Sequence, residues 1–450
     1  MKNKKILSLL ALSATGVLLA ACGGGSDSGS STDSSGGSSS DKTVVKVAAL
    51  ESGYGADMWT EIEKAYEAEN PDIDIELTTD KKLEDVISPD MKAGNYPDVI
   101  LLATGREAGL TETFIKDKNL EDLTDVFDMT VPGEDVTVKE KLIPGFIDTL
   151  ATNPYNDGKT YLAPMFYSPT GLFYNSGLLE EKGWEVPTTW DEMWELGDKA
   201  AAEDIALFTY PTTGYLDSFF FSLLPAVGGP DFYNDAMSYV DGTWASADAT
   251  ESFDIATKLA SYTAETTPAN ANDQDFTKNQ QMILDNQAIF MPNGTWVVGE
   301  MEEAPRADGF AWGMTALPAT EAGGDQYSYT FFEQMWMPTG AENKDGGKDF
   351  IAWMYSDAAA DIFAESGAIQ PIEGMSDKLT GDNQLFYSIY DNGAKAVMGG
   401  FENTATVEGV SIRDTLFGTY DSIVSGTKTE KEWQDDVVSV TDQLREAAEQ

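Results

Sequence analysis

The sequence predicts an α/β protein. Three observations carry that prediction. β-Branched apolar runs alternate with amphipathic stretches of helical spacing from Val44 to Leu102. A second strand–helix alternation follows from Leu172 to Thr209, and the C-terminal third reads as mostly helical. The order β-α-β-α-β implies a mostly parallel sheet flanked by helices.

Val44–Leu50 is the first predicted strand. Ala56–Glu69 carries Met58, Ile62, Ala65 and Tyr66 at helical spacing and stops before Pro71. Ile73–Leu77 is a strand, Leu83–Ala93 a helix and Asp98–Leu102 a third strand. Asn156-Asp157-Gly158 supplies residues that tolerate positive φ and predicts a tight hairpin between two extended segments. Leu172–Tyr174 is a strand. Trp190–Ala202 is a helix with Thr189 as N-cap, and Ile205–Thr209 is the next strand. Helical stretches follow near 214–225, 249–263 and 276–286, then a strand at 288–291. Helices are expected near 346–355, 357–366, 383–396, 408–425 and 430–448.

The N-terminus carries a different signal. Lys2, Lys4 and Lys5 precede an apolar run from Ile6 to Ala21, and Cys22 follows Leu19-Ala20-Ala21. That order of charge, apolar run and small residues is the pattern of a secretory leader, and the run is short for a membrane span. Cys22 is the only cysteine in 450 residues. Its setting resembles the bacterial lipobox, which implies removal of Met1–Ala21 and lipidation of Cys22. Residues 22–42 then form a tether. A Gly/Ser-rich coil of about 18 residues cannot bury enough apolar surface to fold and spans roughly 20–25 Å. The bland alternative is an ordinary cleaved leader with a chance cysteine.

Composition excludes several function classes. The formal net charge is −49, which makes the chain a poor partner for nucleic acid. There is no histidine, so neither a Ser-His triad nor a histidine metal site can form. With Cys22 lipidated, no thiol nucleophile or internal disulfide remains. No phosphate-binding glycine loop, dinucleotide fingerprint or calcium loop occurs, so no cofactor is implied. The 77 Asp and Glu residues make carboxylate pairs so common that no pair by itself points to glycoside hydrolysis.

Longer motifs point to a family. Tyr161-Leu162-Ala163-Pro164, Leu172-Phe173-Tyr174-Asn175, Leu178-Leu179, Gly183 and Pro187-Thr188-Thr189-Trp190-Asp191-Glu192 occur in that order. Gly228-Gly229, Asn293-Gly294-Thr295-Trp296 and Ala316-Leu317-Pro318 follow. From about residue 43 onward the chain resembles the extracellular sugar-binding proteins of ABC importers, the group of maltose-binding protein. Gly105-Arg106-Glu107-Ala108-Gly109-Leu110-Thr111-Glu112-Thr113 resembles members that bind N-acetylglucosamine or chitobiose.

The resemblance implies a two-lobed periplasmic-binding-protein-like fold. Residues 43–165 and 318–368 would form the N-terminal lobe, and 166–317 and 369–450 the C-terminal lobe. Crossings are expected near Pro164–Thr170, Leu317–Thr320 and Ala368–Ile372. The implied function is capture of a neutral mono- or oligosaccharide by hinge closure, without catalysis. The implied partners are the sugar, the transmembrane subunits of an ABC permease and the outer face of a membrane through the lipid anchor. The chain would be a monomer.

In open α/β sheets a ligand sits beyond the carboxyl ends of the strands. Those ends carry Glu51, Ser52 and Tyr54 after the first strand, Arg106 after the third, and Tyr210, Tyr215 and Asp217 after the strand at 205–209. Sugar rings expose C–H faces to aromatic rings and a hydroxyl rim to carboxylates, amides and guanidinium groups. Trp296 is the leading candidate, since it stands where a strand hands over to a helix. Tyr54, Tyr167, Asp217, Arg106, Glu51, Glu333, Trp336 and Arg413 complete the candidate set, against the alternative of ordinary packing or solvation. Trp190, Trp244 and Trp433 are assigned to packing. Two other function classes stay open: an exported glycosidase, which needs two carboxylates flanking one bond, and an adhesin or sensor lipoprotein that does not close on a ligand.

Overall fold

The computed structural model describes residues 42–448, apart from 52–54, 105, 107, 148, 273 and 403–406. Cys22, the leader, the tether up to residue 41 and Tyr54 lie outside the described residues.

The β-branched run near the N-terminus forms β1 (Thr43–Leu50). It pairs in parallel with β2 (Ile73–Asp80) from Thr43↔Ile73 to Leu50↔Asp80. On its other side it pairs in parallel with β3 (Val99–Leu101). The helix Ala56–Glu69 makes the first crossover and buries Met58, Trp59, Ile62 and Tyr66, the stripe its spacing dictates. The Trp59 indole N–H donates to the Leu50 carbonyl at 3.3 Å, tying the helix to the end of β1.

Two long strands dominate the rest of the sheet. β4 (Ala163–Asn175) runs antiparallel to β8 (Tyr327–Trp336) from Ala163↔Met335 to Pro169↔Thr330. From Thr170 onward β4 changes partners. It pairs with β6 (Ala288–Gly294) from Thr170↔Gly294 to Phe173↔Met291, and with β7 (Trp312–Thr315) on its other side. β5 (Ala206–Phe208) lies parallel to β6, and β9 (Lys395–Val397) lies parallel to the start of β8. The order is β2-β1-β3-β8-β4-β6-β5, with β7 attached to β4 and β9 to β8. Parallel units therefore flank an antiparallel centre built from β4 and β8.

Three sequence expectations need correction. β7 and β8 were not anticipated, since the sequence reading assigns no element between residues 291 and 346. The predicted hairpin at Asn156-Asp157-Gly158 is a run of turns: Asn156 and Gly158 do adopt positive φ (50° and 78°), but the strand begins only at Ala163. The helix expected over 383–396 ends at Tyr387, and 395–397 becomes β9 because β8 offers an edge to pair with.

Helix starts follow their local chemistry. Thr189 caps Trp190–Ala201: its hydroxyl accepts from the Glu192 N–H, and the Glu192 carboxylate accepts from the Thr189 N–H, both at 3.3 Å. The helical stretch Leu216–Met237 is two helices joined at Gly229, whose φ of 81° no side chain adopts easily.

The core has two hydrophobic clusters. The first contains β1, β3, Trp59, Tyr167, Trp336 and Trp353, with side chains from β6 and β7 and from Phe386 to Met398. The second contains Trp190, Phe219, Phe220, Phe221, Trp244 and Trp433. β4 serves both, since Phe173 belongs to the first and Leu172 to the second, as the two-residue pleat requires. Trp190, Trp244 and Trp433 are all buried, as expected of packing residues. Trp433 sits against Phe253 and Phe220; truncating such a ring to alanine typically costs about 3–5 kcal/mol.

Candidate functional site

The change of partners along β4 brings three elements together. Ser168 pairs with Phe331 of β8, and two residues later Thr170 pairs with Gly294 at the end of β6. The chain then turns at Thr295 and Trp296 into the short helix Val297–Glu300. Trp296 is thereby set beside Phe331, with ring centroids 5.5 Å apart. β8 is buried along its length except at Phe331, Phe332 and Glu333, and Phe331 is 41% exposed. The pleat puts Tyr329, Phe331 and Glu333 on one face. The Tyr329 ring lies 5.1 Å from Phe331 and is backed by Phe221 at 5.0 Å.

A hydrogen-bonded chain supports the other side of Trp296. The Tyr215 ring stands 6.3 Å from the indole, edge on. The Tyr215 hydroxyl donates to Glu300 Oε1 at 3.3 Å, and Gln280 Nε2 donates to Glu300 Oε2 at 2.7 Å. Burial and the nearby Glu300 charge push the Tyr215 phenol up to about 12. It therefore stays protonated and remains a donor at neutral pH.

Charged pairs border the aromatic patch. Asp217, at the start of the Leu216–Met237 stretch, is buried; Arg413 Nη2 donates to its Oδ2 at 2.6 Å. Burial pushes the Asp217 carboxyl up, and Arg413 offsets this only in part. The Arg413 side chain is half exposed and lies 5.1 Å from the Phe417 ring, at the start of the π-helical turn Asp414–Gly418. On the side of β3, Arg106 forms an ion pair with the buried Glu84, Nη2 to Oε2 at 3.2 Å. Burial would raise the Glu84 carboxyl, but the hydrogen bond and charge of Arg106 outweigh it and hold it below the usual carboxylate range. Arg106 also feels the charge of Glu333.

The predicted site residues separate into three groups. Trp296, Asp217 and Arg413 fall in the neighbourhood of Tyr215, Tyr329 and Phe331. Arg106 and Glu333 lie toward the β3 side, and Glu51, at the end of β1, pairs with Lys81 at 3.6 Å. Tyr167 and Trp336 are core residues: Tyr167 is 2% exposed, with Phe146 and Tyr387 each at 4.9 Å, and Trp336 is fully buried 5.0 Å from Phe114. Tyr54 lies outside the described residues. Phe331 and Glu300 were missed by sequence reasoning. The aromatic, β-branched run Tyr327-Ser328-Tyr329-Thr330-Phe331-Phe332 was the available signal for β8 and so for Phe331. For Glu300 no local signal exists, since its partners come from residues 215 and 280.

An exposed ring bordered by carboxylates and guanidinium groups suits a ligand with a flat apolar face and a rim of hydroxyls. Among the described residues no cluster of three metal-ligating side chains occurs, and no helix is long and apolar enough to cross a membrane.

Known proteins place this geometry in context. The sequence profile of bacterial extracellular solute-binding proteins matches residues 48–361. The diacetylchitobiose binding protein NgcE of Streptomyces coelicolor is 23% identical over 335 residues, covering 72% of this chain and 68% of that protein. A probable sugar-binding periplasmic protein of Rhizobium meliloti is 27% identical over 193 residues, 42% of this chain and 45% of the other. The apo form of RafE from Streptococcus pneumoniae superposes with a TM-score of 0.65 at 18% identity, covering 90% of this chain and 98% of that one, a likeness of fold.

Proposed function

The chain belongs to the bacterial extracellular solute-binding protein family, and from that membership we propose that it captures a neutral mono- or oligosaccharide for an ABC importer. The observation that carries this reading is the Trp296–Phe331 patch between Asp217–Arg413 and Glu333. The rings offer a stacking surface, and the charged groups accept and donate along a hydroxyl rim. Similarity to a diacetylchitobiose-binding relative makes N-acetylglucosamine oligomers the first ligands to try.

The proposed ligand set is Trp296, Asp217, Arg413, Arg106, Glu333 and Glu51, with Tyr54. Tyr167 and Trp336 would support it from the core. β4 would serve as one crossing strand, since it pairs with β8 in its first half and with β6 and β7 in its second, and further crossings would lie near Leu317–Thr320 and Ala368–Ile372. Bending there would let two lobes, 43–165 with 318–368 and 166–317 with 369–450, close on the sugar. The closed form would dock as a monomer on permease subunits while Cys22 lipid holds the chain to the outer membrane face. No bond is made or broken in this scheme.

Titration calorimetry with N,N′-diacetylchitobiose, N-acetylglucosamine and maltotriose tests it, with sugar turnover followed in parallel. Saturable binding without turnover is the expected result. Trp296→Ala should weaken binding by about 2–4 kcal/mol, as buried aromatic anchors do, and Trp296→Phe should recover part of the loss. Turnover would favour a glycosidase. Binding unchanged by Trp296→Ala would remove that ring from the site.

A further inference from the structure

We propose that Glu300 is a positioning residue that fixes the Trp296 ring through Tyr215 before any ligand arrives. The inference rests on the ligand-facing role proposed for Trp296. Three links form a closed circuit. The Glu300 N–H donates to the Trp296 carbonyl at 3.1 Å, closing the turn between them. The Glu300 carboxylate accepts from the Tyr215 hydroxyl at 3.3 Å. The Tyr215 and Trp296 rings meet edge to face at 6.3 Å. A carboxylate has two oxygens, and here the second accepts from Gln280 Nε2 at 2.7 Å. Gln280 is fully buried in the helix Phe276–Leu284, so the circuit is anchored to the body of the fold.

The physical consequence concerns order. A tryptophan half-exposed in a turn can sample several staggered rotamers. A ring that must be immobilised when ligand binds loses affinity to that ordering, and a ring already held does not. Gln280 also suggests the conservative rescue. Its Oε1 is buried without a hydrogen-bond partner among the described residues. A flipped Gln280 amide could therefore accept from the new amide of Glu300→Gln while that amide's oxygen still accepts from Tyr215.

The test uses the full chain labelled with 5-fluorotryptophan, the Trp296 resonance being assigned by its loss in Trp296→Phe. In ligand-free protein that resonance should be single and narrow. It should shift or broaden in Glu300→Ala and in Tyr215→Phe, and return in Glu300→Gln. A Trp296 resonance unchanged in both Glu300→Ala and Tyr215→Phe overturns the proposal. With N,N′-diacetylchitobiose, Glu300→Ala should weaken binding about three- to tenfold, the range expected for one newly mobile side chain. The same change in a Trp296→Ala background should have no effect, and an equal loss in both backgrounds overturns the positioning role. Failure of the wild-type chain to bind any sugar would overturn the sugar reading, and the ligand-free spectra would then decide the positioning alone.

Discussion

A β-carbon placed on Gly294 would fall 2.1 Å from Cζ3 of the Trp296 ring, and 2.2 Å from Cη2. The ring proposed to face the ligand thus packs against the backbone two residues before it. Glycine is required here for space, and no left-handed backbone is involved. The ring is held by a floor at Gly294, by Tyr215 on one side and by Phe331 on another.

Gly294→Ala should therefore displace the Trp296 ring without breaking the strand. Thr170 still pairs with position 294, and alanine is tolerated in a strand. Sugar affinity should fall by about tenfold, or roughly 1.4 kcal/mol, while the melting temperature changes by a few degrees at most. Calorimetry and thermal denaturation read the two effects. Wild-type affinity in Gly294→Ala would mean that the ring position is unimportant for binding.

The Asp217–Arg413 pair predicts a pH dependence. The Asp217 carboxyl is raised by burial, and Arg413 opposes that rise. Arg413→Ala removes the opposing charge, so the folded-state value climbs further above the unfolded one of about 3.9. A raised carboxyl keeps its proton longer in the folded chain than in the unfolded chain. Stability then falls as pH rises through the folded value, and the loss is complete above it. Arg413→Ala should thus cost more stability near pH 8 than near about pH 5. At the upper pH roughly 1–2 kcal/mol is expected, below the 3–5 of a fully buried pair because half of Arg413 is in water. Urea denaturation at the two pH values checks this, and Arg413→Lys should lose less. An equal loss at both would mean that Asp217 does not feel Arg413.

Cys22 offers a test independent of the fold. Cys22→Ser removes the only side chain that could carry the lipid. The protein should leave the membrane fraction and appear outside the cell membrane with an unchanged melting temperature. Retention in the membrane with the leader removed would show that the anchor lies elsewhere.

Local structure was legible in the sequence where local chemistry decides it. The helix Ala56–Glu69 and the Thr189–Glu192 capping box needed only spacing and side-chain reach. Trp296 was legible as the residue after a strand. β8 was not, because its ten residues acquire a strand's hydrogen bonds only from β3, β4 and β9, which are distant in sequence. Without β8, Phe331 had no visible position and Trp336 no visible burial. Tyr167 reads like a site aromatic, yet β4 buries it in the core beside Phe146 and Tyr387, and only its neighbour Ser168 keeps partial exposure. Glu300 escaped for a similar reason, since its role exists only where residues 215, 280 and 296 meet.

The partner exchange of β4 predicts motion. Up to Pro169 its ladder belongs to β8, and from Thr170 to β6 and β7. Bending between those two sets changes few hydrogen bonds, because the backbone can rotate at the junction while each ladder stays paired. A sugar held between groups on both sides of the junction gains its full contacts only in the closed form. A differential of about 5.5 kcal/mol carries such an equilibrium from mostly open to mostly closed. Small-angle scattering should therefore give a smaller radius of gyration with saturating sugar, and Trp296→Ala at the same sugar concentration should give less compaction. Calorimetrically proven binding with no change in the radius of gyration would rule out closure on the ligand and leave a site that is already formed when empty.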